Sequence, residues 1–333
     1  MNLKSIEYFL VTAEEMNFTR AAERLYISQQ ALSGHIKRLE SEYNIQLFER
    51  KPTLRLTQGG EQFVHYGNRI LTSEKCLRSK LSDISADCYA HLTIGISRLR
   101  GKIFIPMILS QYHQTYPNVS IKLVDGNSDK FQELLQSGKI DLYVGIDIPA
   151  THNQQFIELA REQMQCCMSQ DFLQRSFPNN WRKMMQKFEQ GADLKDIAYL
   201  PLITLCSSNR LRKRLNSLFS GYSINPHFAF EAESQDLLYQ LTKLGYGVGI
   251  FSPVALYQNT REIDSLGDSF HIFPIRDDMD ENVLSLVYRT DYTLPEYTKD
   301  FIDIAYKVFQ LYRTHINRHS NDLLYQQVST MQF

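Results

Sequence analysis

The segment from Ile27 to Glu40, ISQQALSGHIKRLE, gathers amide, hydroxyl and ammonium groups where they can act together. Leu32, Ile36 and Leu39 fall four and then three apart, the spacing of one face of an α-helix. Gln29, Gln30, Ser33 and Lys37 then project from the other side. A glutamine amide can form paired hydrogen bonds to an adenine edge, while lysine and serine serve phosphates or bases. Gly34 stands in the middle of this helix, where glycine costs roughly 1 kcal/mol relative to alanine. Tolerating it implies that contact outside the chain counts for more there than helix propensity.

Such a face must be held away from the body of the protein, and the preceding residues have the means. Leu3, Ile6, Phe9, Leu10 and Ala13 recur at helical spacing. Asn17 is a suitable N-cap for a second helix, FTRAAERL, whose stripe is Ala21, Ala22 and Leu25. Small residues at Ala21 and Ala22 let helices cross closely. Tyr26 and Ile27 form a turn, Ser28 can cap the third helix, and Asn44 can end it. This is the layout of a helix-turn-helix that presents its second helix to a major groove. Arg50, Lys51 and Arg55 surround Pro52 between short alternating segments, which reads as a two-stranded wing with positive charge for a phosphate backbone. A solvated helical bundle with a charged hairpin is the competing reading of the same residues.

Five motifs in order make the stretch from Asn17 to Gly60 resemble the winged helix-turn-helix of LysR-type transcriptional regulators. They are Ala21-Ala22 with Leu25, Ser28-Gln29 with Leu32-Ser33, Leu39-Glu40, Leu47-Phe48 with Arg50, and Leu56-Thr57 with Gly60. The chain departs from that family at Gln30, where proline is frequent, at Gly34, where a basic residue is usual, and at Asn44, where glycine is usual. Losing a basic side chain at Gly34 implies an altered base preference, with His35 or Lys37 taking up phosphate contact. The expected DNA-binding set is Ser28, Gln29, Gln30, Ser33, His35, Lys37, Arg50, Lys51 and Arg55.

Composition bounds the rest. The 333 residues carry a net charge of −1, so any nucleic-acid signal is local rather than global. Five cysteines without CxxC spacing argue against a disulfide framework or structural zinc. No apolar stretch is long enough for a membrane span, and the N-terminus lacks the pattern of a secretory signal. A cytoplasmic protein without cofactor or metal is expected.

From Thr57 a long helix is expected to about residue 88, with Phe63, Gly67, Ile70, Glu74, Leu77, Leu81, Ile84 and Cys88 forming a heptad seam. The seam suits either pairing of two chains or packing on the chain's own body. The resemblance favours a homodimer or homotetramer through this helix, with double-stranded DNA as partner and RNA polymerase as a further candidate. Beyond it, strands and helices alternate, so an α/β architecture with a largely parallel sheet is expected. The pattern resembles the two-subdomain LysR-type effector domain, similar in fold to periplasmic solute-binding proteins. The expected divisions are 1–58 for the DNA-binding domain, 59–90 for the linker helix and 91–315 for the effector domain. Within the last, subdomain I spans about 91–165 and 271–315 and subdomain II about 166–270, with hinges near 164–168 and 270–274. A polar tail covers 316–333.

Ligands in open α/β sheets settle at the carboxyl ends of strands, beside helix N-termini. That rule nominates Ser97, Arg98, Asn127, Ser128, Ser207, Asn209 and Ser234 for a small-molecule effector, though each of them also suits an ordinary helix cap. Arg98, Arg100 and Lys102 crowd the first such loop and favour an anionic effector. Gly245, Gly247 and Gly249 fail the dinucleotide pattern, since Ile250 follows and a helix precedes them. Cys166-Cys167 invites a redox reading, although buried strand cysteines are usually inert. A bilobed solute-binding protein or an enzyme on the same scaffold is the alternative, and neither has use for residues 1–60.

Overall fold

The computed structural model describes residues 2–50, 53–82, 90–276 and 282–320. Three helices come first: α1 (Leu3–Glu15), α2 (Phe18–Arg24) and α3 (Gln29–Tyr43). The Asn17 carboxamide accepts from the Thr19 and Arg20 amides and starts α2, and the Ser28 hydroxyl accepts from the Ala31 amide and starts α3. Asn44 ends α3 in the left-handed region (φ 51°, ψ 41°), a conformation asparagine tolerates. Ala21, Ala22 and Leu32 are buried together where α2 and α3 meet. Ile6, Phe9 and Leu10 pack against Ile36, Leu39, Leu47 and Phe48. The wing is the antiparallel pair β1 (Phe48–Glu49) and β2 (Arg55–Leu56); Lys51 and Pro52 lie outside the described residues.

The Thr57 hydroxyl accepts from the Gly60 amide at 2.9 Å and opens α4 (Gln58–Ser82). The first half of the heptad seam packs on the chain's own body, one of the two uses its spacing allows. The Phe63 ring meets Phe9 edge-on at 4.8 Å, Gly67 lies against Ile6, and Ile70 joins the same cluster. The apolar stripe of α1 is the first surface that α4 reaches, and α4 buries its own stripe there. Farther along, Leu77 is 57 % exposed; Ile84 and Cys88 lie outside the described residues.

Two five-stranded sheets follow. Lobe I begins with β3 (His91–Gly95), α5 (Arg98–Thr115), β4 (Ser120–Val124), α6 (Ser128–Gln136), β5 (Leu142–Ile146) and β6 (Gln154–Glu162). Lobe II comprises β7 (Gln165–Ser169), α7 (Gln170–Ser176), α8 (Trp181–Glu189), α9 (Leu194–Ile197), β8 (Leu202–Leu205), α10 (Arg210–Gly221), β9 (Phe228–Ala232), α11 (Gln235–Lys243), β10 (Val248–Phe251), α12 (Pro253–Tyr257), α13 (Thr260–Leu266) and β11 (Phe270–Pro274). The chain then returns to lobe I with β12 (Asn282–Arg289) and α14 (Glu296–Ser320). The strand orders are β4-β3-β5-β12-β6 and β11-β7-β10-β8-β9.

Both sheets are mixed rather than largely parallel. β3 pairs parallel with β4 and β5, whereas β12 is antiparallel to β5 and β6. β8 pairs parallel with β9 and β10, whereas β7 is antiparallel to β10 and β11. The cause is connectivity: β6 carries the chain out of lobe I and β12 brings it back, so they run in opposite directions, and β7 and β11 do the same for lobe II. This placement also moves the hinges. Residues 165–169 and 270–274 are paired strands inside lobe II, so the crossovers fall at Gln163–Met164 and after Pro274. There the Gln163 side-chain amide donates to the Ile275 carbonyl at 2.8 Å. α14 continues to Ser320 with Ile316 buried, so the first turn of the expected polar tail is helix; residues 321–333 lie outside the described residues.

Candidate functional site

On α3, Leu32, Ile36 and Leu39 are buried, whereas Gln29, Gln30 and Lys37 are exposed and Ser33 is half-buried. A Cβ added at Gly34 would meet nothing within 4 Å, so no packing among the described residues requires glycine there. The polar face is therefore turned away from the protein, with an open notch at its middle. Arg38, which sequence reasoning did not nominate, lies one turn beyond, exposed, and its Nε donates to the Gly34 carbonyl at 3.4 Å. The signal was its position four residues after the glycine, which on a helix is the same face.

His35 is elsewhere. Its ring meets Tyr8 edge-on at 4.9 Å, and its Nδ1 is 3.4 Å from the Ser5 hydroxyl. Burial, then the Arg38 charge, hold its pKa below the usual histidine value. A residue adjacent to Ile36 and three after Leu32 falls on the flank of the buried stripe, so His35 packs α3 on α1 instead of facing outward. Arg50 braces the base of the wing: its Nη2 is 3.8 Å from Glu40 and its guanidinium is 5.2 Å from the Phe18 ring centre. The same Glu40 carboxylate accepts from the Leu47 amide at 3.0 Å. Arg55 is exposed on β2.

Between the lobes lies a cleft of about 630 Å³. It brings together Ser97, Asn127, Ser128 and Asn209 of the nominated residues; Arg98, Ser207 and Ser234 do not line it. Arg98 turns outward and pairs with Asp125 at 3.3 Å, Ser207 is exposed, and Ser234 caps α11 by accepting from the Leu237 amide. Their neighbours Arg100, Ser208 and Gln235 line the cleft instead. Asn127 and Asn209 use their carbonyl oxygens to cap α6 and α10. The Ser128 hydroxyl donates to the Ile146 carbonyl and accepts from the Ile146 amide, both at 3.0 Å. Ser97 stands at the N-cap of α5 but makes no cap bond, and its hydroxyl is buried without a partner among the described residues.

The charges of the cleft come from both lobes. Arg100, 8 % exposed, donates from Nη2 to Glu162 at 2.5 Å, and the Tyr312 hydroxyl donates to the other Glu162 oxygen at 2.8 Å. Burial, then Glu162, push the Tyr312 pKa up. From lobe II, α10 contributes Arg210, Lys213 and Arg214, three cations that sequence reasoning did not nominate. Arg210 crosses to lobe I and donates to the Ile146 carbonyl at 3.0 Å and to Asp147 at 2.5 Å.

The remaining motifs have structural explanations. Cys166 and Cys167 are fully buried on opposite faces of β7; burial pushes the Cys166 thiol to about 12 and the Cys167 thiol well above its usual value. Such thiols are poor nucleophiles at neutral pH. Gly245 takes φ +77° at the turn after α11, and side chains at Gly247 and Gly249 would strike the Pro201 carbonyl and the Thr242 hydroxyl. Among the described residues no group of three or more His, Cys, Asp or Glu could hold a metal ion, and no helix is long and apolar enough to cross a membrane.

Two family models match the chain: the bacterial regulatory helix-turn-helix of the lysR family over residues 3–61, and the LysR substrate binding domain over 90–310. A probable RuBisCO transcriptional regulator of Trieres chinensis is 28 % identical over 261 residues, covering 76 % of this chain and 81 % of that protein. A hydrogen peroxide-inducible genes activator of Dickeya chrysanthemi is 25 % identical over 323 residues, 96 % of this chain and 100 % of the relative. Among solved structures, full-length OxyR from Pseudomonas aeruginosa superposes with a TM-score of 0.61 at 21 % identity, over 93 % of this chain and 95 % of that one. CbnR complexed with its target DNA superposes with a TM-score of 0.52 at 19 % identity, over 92 % and 100 %. At these identities the superpositions show the fold.

Proposed function

The chain belongs to the LysR family of transcriptional regulators, and from that premise we propose that it reads double-stranded DNA with α3 and the wing, under control of an anionic small molecule bound between the lobes. The observation that carries the DNA-binding reading is the polar face of Gln29, Gln30 and Lys37, exposed around a glycine that no packing among the described residues requires. Gln29 and Gln30 face base edges, Ser33 and Lys37 serve bases or phosphates, and Arg50, Lys51 and Arg55 serve the backbone at the wing. Ser28 positions the helix as its cap, and Arg38 adds a phosphate contact beside Gly34. The regulator acts in the cytoplasm as a homodimer or homotetramer, with RNA polymerase as a further partner, and catalyses no reaction.

Chain pairing uses the far part of α4 together with an apolar groove of about 570 Å³ lined by Tyr43, Ile45, Phe63 and Tyr66. A two-fold dimer sets its reading helices about 34 Å apart, one turn of DNA. The effector controls activity by favouring one arrangement of the lobes over another, with motion at the crossovers at 163–164 and after 274. Arg210, Lys213 and Arg214 of α10, which line the same cleft as Arg100, support an anion there.

A mobility shift against DNA upstream of the chain's own gene, at two salt concentrations, tests this reading. Gln29→Ala is expected to weaken specific binding by about 1–3 kcal/mol, and Lys37→Ala to lower the salt slope by about one. Binding that is indifferent to both substitutions refutes the assigned face.

A further inference from the structure

Resting on the reading of the cleft as the effector site, we propose that its occupant is a carboxylate bearing a neighbouring hydroxyl or amino donor. The carboxylate is held in lobe I by Ser97 and Arg100, and the donor in lobe II by Gln235. Three buried polar atoms lack partners among the described residues, the Ser97 hydroxyl, Arg100 Nε and Gln235 Oε1, all on residues that line one cleft. Buried polar atoms are ordinarily hydrogen-bonded, so three exceptions around one cavity describe what the cavity is shaped to receive.

In lobe I the unmet groups are donors. Arg100 is more than nine-tenths buried, and its Nη2 is fixed by Glu162, which the Tyr312 hydroxyl holds in turn. The guanidinium cannot swing away, and Nε stays unmatched. Ser97 occupies the N-cap position of α5, an 18-residue helix, yet its side chain accepts no cap bond. An oxyanion placed there takes hydrogen bonds from Arg100 Nε and the Ser97 hydroxyl and meets the positive end of the helix dipole. The Arg100 charge is already balanced by Glu162, and Asp129 also lines the cleft. Arg210, Lys213 and Arg214 line the same cleft from lobe II, and Arg210 is already paired with Asp147.

In lobe II the unmet group is an acceptor. Gln235 opens α11, and its buried Oε1 requires an O–H or N–H from the occupant. A plain carboxylate satisfies lobe I and leaves Gln235 unmatched, whereas a hydroxy or amino acid satisfies both. Its chain lies among Leu99, Phe131, Val144 and Met164. Because the two ends belong to different lobes, such a ligand favours the arrangement in which the lobes face each other across it, which gives occupancy a mechanical consequence.

The test is calorimetric titration of the full-length chain with hexanoate, its α-hydroxy derivative and norleucine, with inorganic phosphate as the control anion. The hydroxy or amino compound is expected to bind at least tenfold more tightly than hexanoate. Gln235→Leu is expected to erase that preference while leaving hexanoate binding unchanged, and Ser97→Ala to weaken all three carboxylates together. Equal binding of the three compounds, or a preference that survives Gln235→Leu, overturns the proposal. So does carboxylate binding that ignores Ser97→Ala, a substitution that leaves the Arg100–Glu162 pair and the fold intact. Phosphate binding without carboxylate binding overturns it and leaves an anionic effector standing; failure of every anion refutes the anionic reading as well, while DNA binding is judged separately by mobility shift.

Discussion

Two long helices in this chain have a serine at the N-cap, and the two serines are used in opposite ways. The Ser28 hydroxyl accepts from the Ala31 amide, and the polar residues that follow on α3 stand in solvent. The Ser97 hydroxyl makes no cap bond on α5, and beside it Arg100 is buried with one nitrogen unmatched. Groups of the first kind are satisfied by water when the protein is alone, so meeting DNA is an exchange of partners and costs the free protein nothing. Groups of the second kind carry a desolvation penalty of about 1–3 kcal/mol each in the free protein, relieved when something enters the cleft. On the proposed reading, the α3 surface is released and reformed easily, while the cleft gains from an occupant that meets its unmatched groups.

The largest way to break this contrast is Arg100→Met. It strands Glu162 in the interior and is expected to destabilise the chain by about 3–5 kcal/mol in urea denaturation, with much of the loss recovered in the Arg100→Met/Glu162→Gln double variant. A loss below about 1 kcal/mol would mean that the pair is not desolvated, since exposed ion pairs contribute no more than this. The paired serines give a sharper comparison at smaller amplitude. Ser28→Ala is expected to cost about 0.5–2 kcal/mol as a lost cap, whereas Ser97→Ala, which removes an unmatched buried hydroxyl, is neutral or stabilising. Equal costs in thermal denaturation would erase the distinction between the two helix starts. Next is Gly34→Ala, expected to stabilise the free chain by up to about 1 kcal/mol because the new methyl meets nothing. A loss of stability would show that the reading face packs against the protein after all.

The reading head was legible because its rules are local. Caps, periodicity and a turn fix Asn17, Ser28 and Asn44 from residues a few positions away, and the buried stripe of α3 then defines its outer face. His35, nominated for DNA contact, holds a flank position that belongs to either side depending on what α1 brings against it, and here Tyr8 and Ser5 meet it. In the lobes, strands and helices were readable, but three facts depend on distant chain. The strand Gln154–Glu162 gave no recognised signal, and its antiparallel partner β12 arrives 120 residues later. The nominated cleft residues were chosen as loop serines and asparagines, a type that caps helices as readily as it meets ligands. Which neighbour turns inward, Arg100 rather than Arg98 and Gln235 rather than Ser234, is decided by Glu162 and by the opposite lobe. The heptad seam was ambiguous for the same reason, since Phe63 and Ile70 suit a partner chain and α1 equally well.

The smallest effect tests whether His35 belongs to the fold or to the reading surface. Burial and the nearby Arg38 hold its folded pKa below the ordinary value, which for histidine is about 6.5. The unfolded chain therefore takes up its proton first as pH falls. The stabilising contribution of the neutral ring is complete above about pH 6.5 and is lost as pH falls from there through the lower folded value. Thermal denaturation at pH 7.5 and 5.5 should show a drop in stability that shrinks in His35→Gln, measured against the parent chain so that other titrating groups cancel. At pH 7.5 the same variant should bind DNA within about twofold of the parent, because the imidazole lies against Tyr8 and not on the outer face. A variant that loses as much affinity as Lys37→Ala, with its pH dependence of stability unchanged, would move His35 back onto the DNA and would mean that α3 sits differently on α1 in the complex.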